Sequence, residues 1–317
     1  MAQHDYVIDN STGANVRADI NNALLAISSN NSGSSAPSTN YASQYFANTT
    51  SGIMQLRNTA NNAHINLFSL TGGPAFAVDG TINSVNIGKG ANSVAGNTVL
   101  GEGALDASVS GGNNVAIGLN ALTENTSGTN NVGIGSLGLD ANTTGGNNTA
   151  IGQGVMGDNT TGSDNTAVGL SALGSNTTAS NNTAIGRSAL FANTTGHQNI
   201  AVGANALKAN TTSNNNAAVG YDALAANTTG TYNTAVGSDC LETVTTSNHC
   251  TGVGSQVLKV NTAAGNTGVG SRVMEANTSG ENNTGVGFDA LTANTTGTRN
   301  TAVGANALDA NTTANNN

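Results

Sequence analysis

A 17-residue refrain limits what this chain can fold into more than any other feature does. Its clearest copy reads Asn182-Thr183-Ala184-Ile185-Gly186-Arg187-Ser188-Ala189-Leu190-Phe191-Ala192-Asn193-Thr194-Thr195-Gly196. The glycine that follows the Ala-Ile or Ala-Val pair, used below as the marker, recurs at Gly101, Gly118, Gly135, Gly152, Gly169, Gly186, Gly203, Gly220, Gly237, Gly254, Gly270, Gly287 and Gly304. Eleven of these twelve intervals are 17 residues and the one from Gly254 to Gly270 is 16. A fixed period of this size predicts stacked repeats, each resting only on its neighbours.

Composition agrees with a narrow interior rather than a globular core. Of 317 residues, 42 are glycine and 3% aromatic, with no tryptophan. Such a chain has too few large side chains for an ordinary core, and its strict spacing is foreign to a disordered tract. The fold expected is therefore mainly β: a parallel β-solenoid or β-roll of 17-residue coils over residues 101–317, preceded by a small α+β domain at 1–73 and a transition at 74–100. Val85-Asn86-Ile87-Gly88 reads as a shorter first coil within that transition. The refrain reaches Asn317 in mid-coil, which predicts further chain or a partner over that end.

One repeat reads as one coil of two short strands and two turns. In Thr183-Ala184-Ile185 the residues alternate faces, Gly186 permits a turn closed to other residues, Ala189-Leu190 forms a second apolar segment, and Asn193-Thr194-Thr195-Gly196 is turn chemistry. Stacking then makes columns. The glycine column (Gly118, Gly135, Gly152, Gly169, Gly186, Gly203, Gly220) sets the turn. Ile151, Val168 and Ile185, one before the marker, and Leu173 and Leu190, four after it, are expected to line the interior. Asn148, Asn165 and Asn182, four before it, are expected to form an amide ladder, as is the Asn seven after it. The small residues two before it, Ala150, Ala167, Ala184 and Ala201, are candidates for contact with neighbouring subunits, because only small side chains admit a second backbone.

Before the refrain, the stripe Val16, Ile20, Ala23, Leu24 and Ile27 predicts an amphipathic helix over 15–29. A Ser/Gly/Asn-rich linker follows at 28–40, then strand-like runs between 41 and 70 that suggest an antiparallel meander. Thr71-Gly72-Gly73-Pro74 marks the boundary.

Chemistry is hard to place on this chain. The net charge of −9 and the lack of a basic patch disfavour nucleic acid and anionic membrane surfaces as partners. The N-terminus lacks a secretory signal pattern and no apolar run is long enough to span a bilayer, so the chain is expected to be made in a cytoplasm without membrane insertion. Gly133–Gly138 and Gly152–Gly157 fit GxGxxG, but neither opens a helix in a βαβ unit. His4, His64, His197 and His249 are scattered, carboxylates sit singly in turns, and Cys240 and Cys250 read as free thiols. No catalytic residue, cofactor site or metal site is expected.

Two resemblances add to this reading. Met1-Ala2-Gln3-His4-Asp5-Tyr6-Val7-Ile8, Val16-Arg17-Ala18-Asp19-Ile20-Asn21-Asn22-Ala23-Leu24 and Phe46-Ala47-Asn48-Thr49-Thr50-Ser51-Gly52-Ile53-Met54-Gln55-Leu56-Arg57-Asn58 resemble the N-terminal module of bacteriophage tail fibres. That resemblance implies a homotrimeric virion protein docked to phage tail proteins through residues 1–73 and directed at a host-cell receptor. The pentad Asn-x-Ala-Ile-Gly is similar to the β-roll head repeats of trimeric autotransporter adhesins, which implies a trimeric roll and makes a bacterial surface adhesin the alternative. An ice-binding solenoid is a further alternative, weakened because Thr194 and Thr195 are adjacent and face different ways; a tailspike depolymerase is the last.

Overall fold

The computed structural model describes the backbone of short strands at 32–33, 45–48, 53–57, 64–69 and 80–82, and backbone with side chains over 85–317 except Ser108. The predicted helix at 15–29 and most of the linker at 28–40 lie outside the described residues. The chain divides into two compact units, Met1–Gly80 and Thr81–Asn317.

In the first unit, β2 (Tyr45–Asn48), β3 (Ile53–Arg57) and β4 (His64–Ser69) pair antiparallel in sequence order, with an irregularity at Met54/Gln55. This is the pairing that short Gly- and Asn-containing spacers favour. Within the segment read as linker, Ser32–Gly33 forms β1 and adds to β2 in parallel.

The second unit is a parallel β-solenoid. After β5 (Gly80–Ile82) and β6 (Val85–Gly88) comes β7 (Thr98–Gly101), and twelve three-residue strands follow from β8 (Val115–Ile117) to β19 (Thr301–Val303). Each pairs in parallel with the next, and the same repeat position always faces itself, as Thr166↔Thr183, Ala167↔Ala184 and Val168↔Ile185 show. At strand spacing, thirteen such strands extend about 60 Å. Val85–Gly88 is not a short coil. It runs antiparallel to β7 (Asn86↔Gly101), and Ala91 and Val94 beyond it pack against the core of the first coil.

Each coil has one strand, not two. The rest is irregular, yet it is bonded coil to coil as regularly as the strand is: Leu190 donates its N–H to the Ala206 carbonyl at 2.9 Å, Ala192 to Lys208 at 3.0 Å and Thr194 to Thr211 at 2.9 Å. Stacking therefore satisfies backbone groups that a single coil would leave bare. The marker glycine is required on two grounds. Gly186 has φ +131°, and a Cβ there would lie 2.6 Å from the carbonyl carbon of Gly203.

The Ala-Leu segment is turn backbone, and its leucine is left-handed, at φ 51° in Leu190 and 49° in Met156. Left-handed backbone costs a non-glycine residue roughly 1–2 kcal/mol. Fully burying a leucine returns about 1.5–3 kcal/mol, and Leu105, Leu122, Leu173, Leu190 and their equivalents as far as Leu291 are wholly buried. Burial outweighs strain, so the sequence keeps leucine or methionine where turn chemistry alone would choose glycine.

The interior is thin enough for single carbons to matter. A Cβ on Gly268 would meet Val257 Cγ1 at 2.6 Å, one on Gly285 would meet Val273 Cγ1 at 2.6 Å, and one on Gly252 would meet the Cys240 sulfur. Where the preceding coil has alanine in that place, as Ala189 before Ala201, the small residue is alanine in every case but Gly133 after Ala121; only Ala167 after Val155 combines the two larger choices. Gly268→Ala is expected to destabilise by about 1–3 kcal/mol through overpacking. Adding Val257→Ala should recover part of that loss, a coupling read from a double-mutant cycle of denaturation midpoints.

Candidate functional site

Strand alternation decides what the shaft shows to the outside. Asn182 and Ala184 share a face, and Thr183 and Ile185 take the other. Asn182 is buried, with its amide donating to the Gly196 carbonyl at 2.9 Å and its backbone N–H donating to Asn165 Oδ1 at 3.0 Å. Asn199 repeats the bond onto Asn182 Oδ1 at 3.0 Å. Asn148 and Asn165 make the same ladder. A second ladder runs through Asn176, Asn193 and Asn210, each amide donating to the side-chain oxygen one coil back. The asparagine of each Asn-Thr-Thr turn as far as Asn294 is therefore buried, and the exposed surface of these turns is threonine.

Two columns consequently stand opposite to expectation. Ala150, Ala167, Ala184 and Ala201 are fully enclosed by their own chain and present nothing to a neighbouring subunit. Ile151 (38% exposed) and Ile185 (40%) point outward, and Val168 is half-buried on the same side. The physical reason is space: after Val99 in the first coil, the strand's inner position beside the leucine column takes alanine or glycine only, so the β-branched strand residues face out. Leu173 and Leu190 lie in the interior.

The outward face of the shaft sheet thus carries two parallel columns. One is mainly threonine with Val115, Val132, Ile200 and Ala217; the other is Leu100 followed by isoleucine or valine to Val303. Neither contains a charged residue. Past the marker glycine, Leu119, Leu170, Tyr221 and Phe288 widen the apolar band, each about half exposed.

Charges lie on the turns, and stacking groups some that are distant in sequence. Asp222, Asp239 and Glu242 bring carboxylate oxygens within 4.8 Å of one another, correcting the expectation that carboxylates sit singly. Lys259 pairs with Glu242 at 3.3 Å, and the group is half-buried on an outer turn. Arg272 forms a two-pronged pair with Asp289 and lies 4.9 Å over the Phe288 ring. Tyr232 and His249 stack at 5.3 Å. Both cysteines are buried free thiols, and burial pushes Cys240 up to about 12. No family model, curated protein or solved structure matches the chain.

Burial, with the charges of Asp158 and Glu124 on adjacent coils, raises the Asp140 carboxyl above its usual range, and its Oδ1 has no hydrogen-bond partner. A carboxyl whose folded value is raised favours folding when protonated, and that contribution is lost as pH rises through the folded value. Asp140→Asn should therefore raise the thermal midpoint at pH 7 and change it little at pH 3, as measured by circular dichroism melts.

Proposed function

We propose that this chain is a structural fibre protein of a bacteriophage virion, attached to the tail through residues 1–73 and projecting its solenoid toward a host-cell receptor. Three copies pack in register as a homotrimer. The observation that carries the proposal is the uncharged Thr and Val/Ile face running the length of the shaft. That face is on the order of 60 Å by 10 Å, or about 600 Å² per copy, near the roughly 800 Å² per partner of a stable interface. The N-terminal resemblance supports the tail as the place of attachment. Three chains held in register would multiply weak receptor contacts without any catalytic step. Immunogold electron microscopy of purified particles tests the location: label on the tail supports the reading, and label confined to bacterial envelopes favours the adhesin instead.

The structure adds weight to one other reading. The Thr-x-Val rungs of the outer face form the regular array that adjacent Thr194 and Thr195 do not, so ice or another ordered lattice becomes an alternative occupant of that face. Thermal hysteresis in an ice assay would support it. Release of reducing ends from host polysaccharide would overturn the non-enzymatic reading.

The two occupants separate by mass. Sedimentation of the intact chain should give three copies, and Val219→Lys with Val236→Lys, both on the outer face, should give one copy with an unchanged circular dichroism spectrum. A single-copy mass for the unaltered chain, or a trimer that survives both lysines, would refute assembly through this face.

A further inference from the structure

The coil between Gly237 and Gly254 departs from its neighbours inside, in both asparagine ladders at once. Val244 stands where the turn ladder has asparagine, and Cys250 where the strand ladder has it. Both are fully buried. Cys250 keeps part of its role: its N–H donates to Asn233 Oδ1 at 2.9 Å and its thiol donates to the Ala263 carbonyl at 3.2 Å. Val244 keeps only the backbone N–H bond to the Leu241 carbonyl (3.2 Å) and none of the side-chain bonds, and Asn227 Oδ1, which would accept the next amide of the ladder, is buried without a partner.

A serine shows that these two changes act together. Ser213, in a regular coil, bonds Asn210 Oδ1 and accepts from the amides of Asn216 and Asn227. The equivalent Ser247 faces Val244 and Cys250 in place of Asn210 and Asn216, and its hydroxyl is buried with no partner. The next coil, Gly254 to Gly270, is the one that lacks a residue: its turn closes with Asn261 bonded to Ala263, two residues on, where Asn193 reaches Gly196, three residues on. Both ladders, an orphaned acceptor, an orphaned hydroxyl and the only change of coil length coincide within two coils.

We infer that these two coils are a low-stability joint, dividing the shaft into two blocks that fold and open separately. In a solenoid, stability is a sum of repeat terms and nearest-neighbour interfaces, so a weak interface sets where local opening occurs. The inference needs only the coil stack of one chain and stands apart from the proposed tail location and assembly.

Hydrogen exchange on the intact, unaltered chain tests it first. Amides of residues 237–266 should exchange at least roughly tenfold faster than those of 165–230 and 270–300; uniform protection along the shaft would overturn the joint. The buried thiols of Cys240 and Cys250 give a second reading, since a thiol reagent reaches them only on opening. Labelling should run faster than global unfolding, with weak dependence on denaturant. Val244→Asn, which restores a bond to Asn227, should slow it roughly tenfold while the circular dichroism spectrum is kept. Labelling that tracks global unfolding, or a rate unmoved in folded Val244→Asn, would count against the joint; should that variant not fold, the exchange profile decides alone.

Discussion

The amide ladder is the interaction on which the rest of the shaft depends. In the strand ladder each asparagine oxygen accepts the backbone N–H of the residue one coil on, as Asn182 does for Asn199 at 3.0 Å. In the turn ladder it accepts a side-chain amide, as Asn193 does from Asn210, and the amides also close turn carbonyls, as Asn182 does for Gly196. A hydrogen bond of this kind contributes about 0.5–1.5 kcal/mol net, whereas a buried group left without one costs about 1–3 kcal/mol. The second figure governs here, since a coil with a single three-residue strand buries many backbone groups that no strand pairing reaches. The asparagine-to-asparagine bonds run between coils, so no coil is stable alone and the register is fixed wherever a ladder passes.

The same thinness explains the strained leucines and small neighbours. A wide core would let valine and isoleucine enter and leave the turns to glycine. This interior instead takes one large side chain per coil, Leu190 in left-handed backbone, with Ala184 and Ala189 beside it, all three fully buried. Because alanine fills the strand's inner position, the β-branched residues are displaced outward, and the apolar outer face follows directly from the size of the core.

Period, coil stacking, the leucine columns and the asparagine ladders were legible in the sequence because each is a strict repetition of one residue type. The facing of the strand was legible too, by parity. A buried Asn182 places Ala184 inside and Ile185 outside, since strand side chains alternate; ranking residues by hydrophobicity reverses that answer. The left-handed leucines left no sequence signal, because turn chemistry marks positive φ by glycine and asparagine. The cluster at Asp222, Asp239 and Glu242 was hidden for a different reason: Asp239 and Glu242 share one turn, but Asp222 joins them only when positions are compared modulo 17.

That last point extends to the whole outer surface. Interior positions repeat strictly, but the residue after the marker is variously Leu119, Gln153, Arg187, Tyr221 or Phe288, because a side chain pointing into water does not alter the ladder beneath it. Stacking then converts such variation into pairs at a spacing of one coil. Arg272 with Asp289 and Tyr232 with His249 are both 17 residues apart. One change in such a fold acquires a neighbour above and below without any change of backbone. The missing residue between Gly254 and Gly270 obeys the same division, since the turn after Asn261 absorbs it while Thr251 still pairs with Thr267. Geometry is thus held by the interior and chemistry is free to vary outside it, so the shaft's outer face and turns can be altered coil by coil on a constant scaffold.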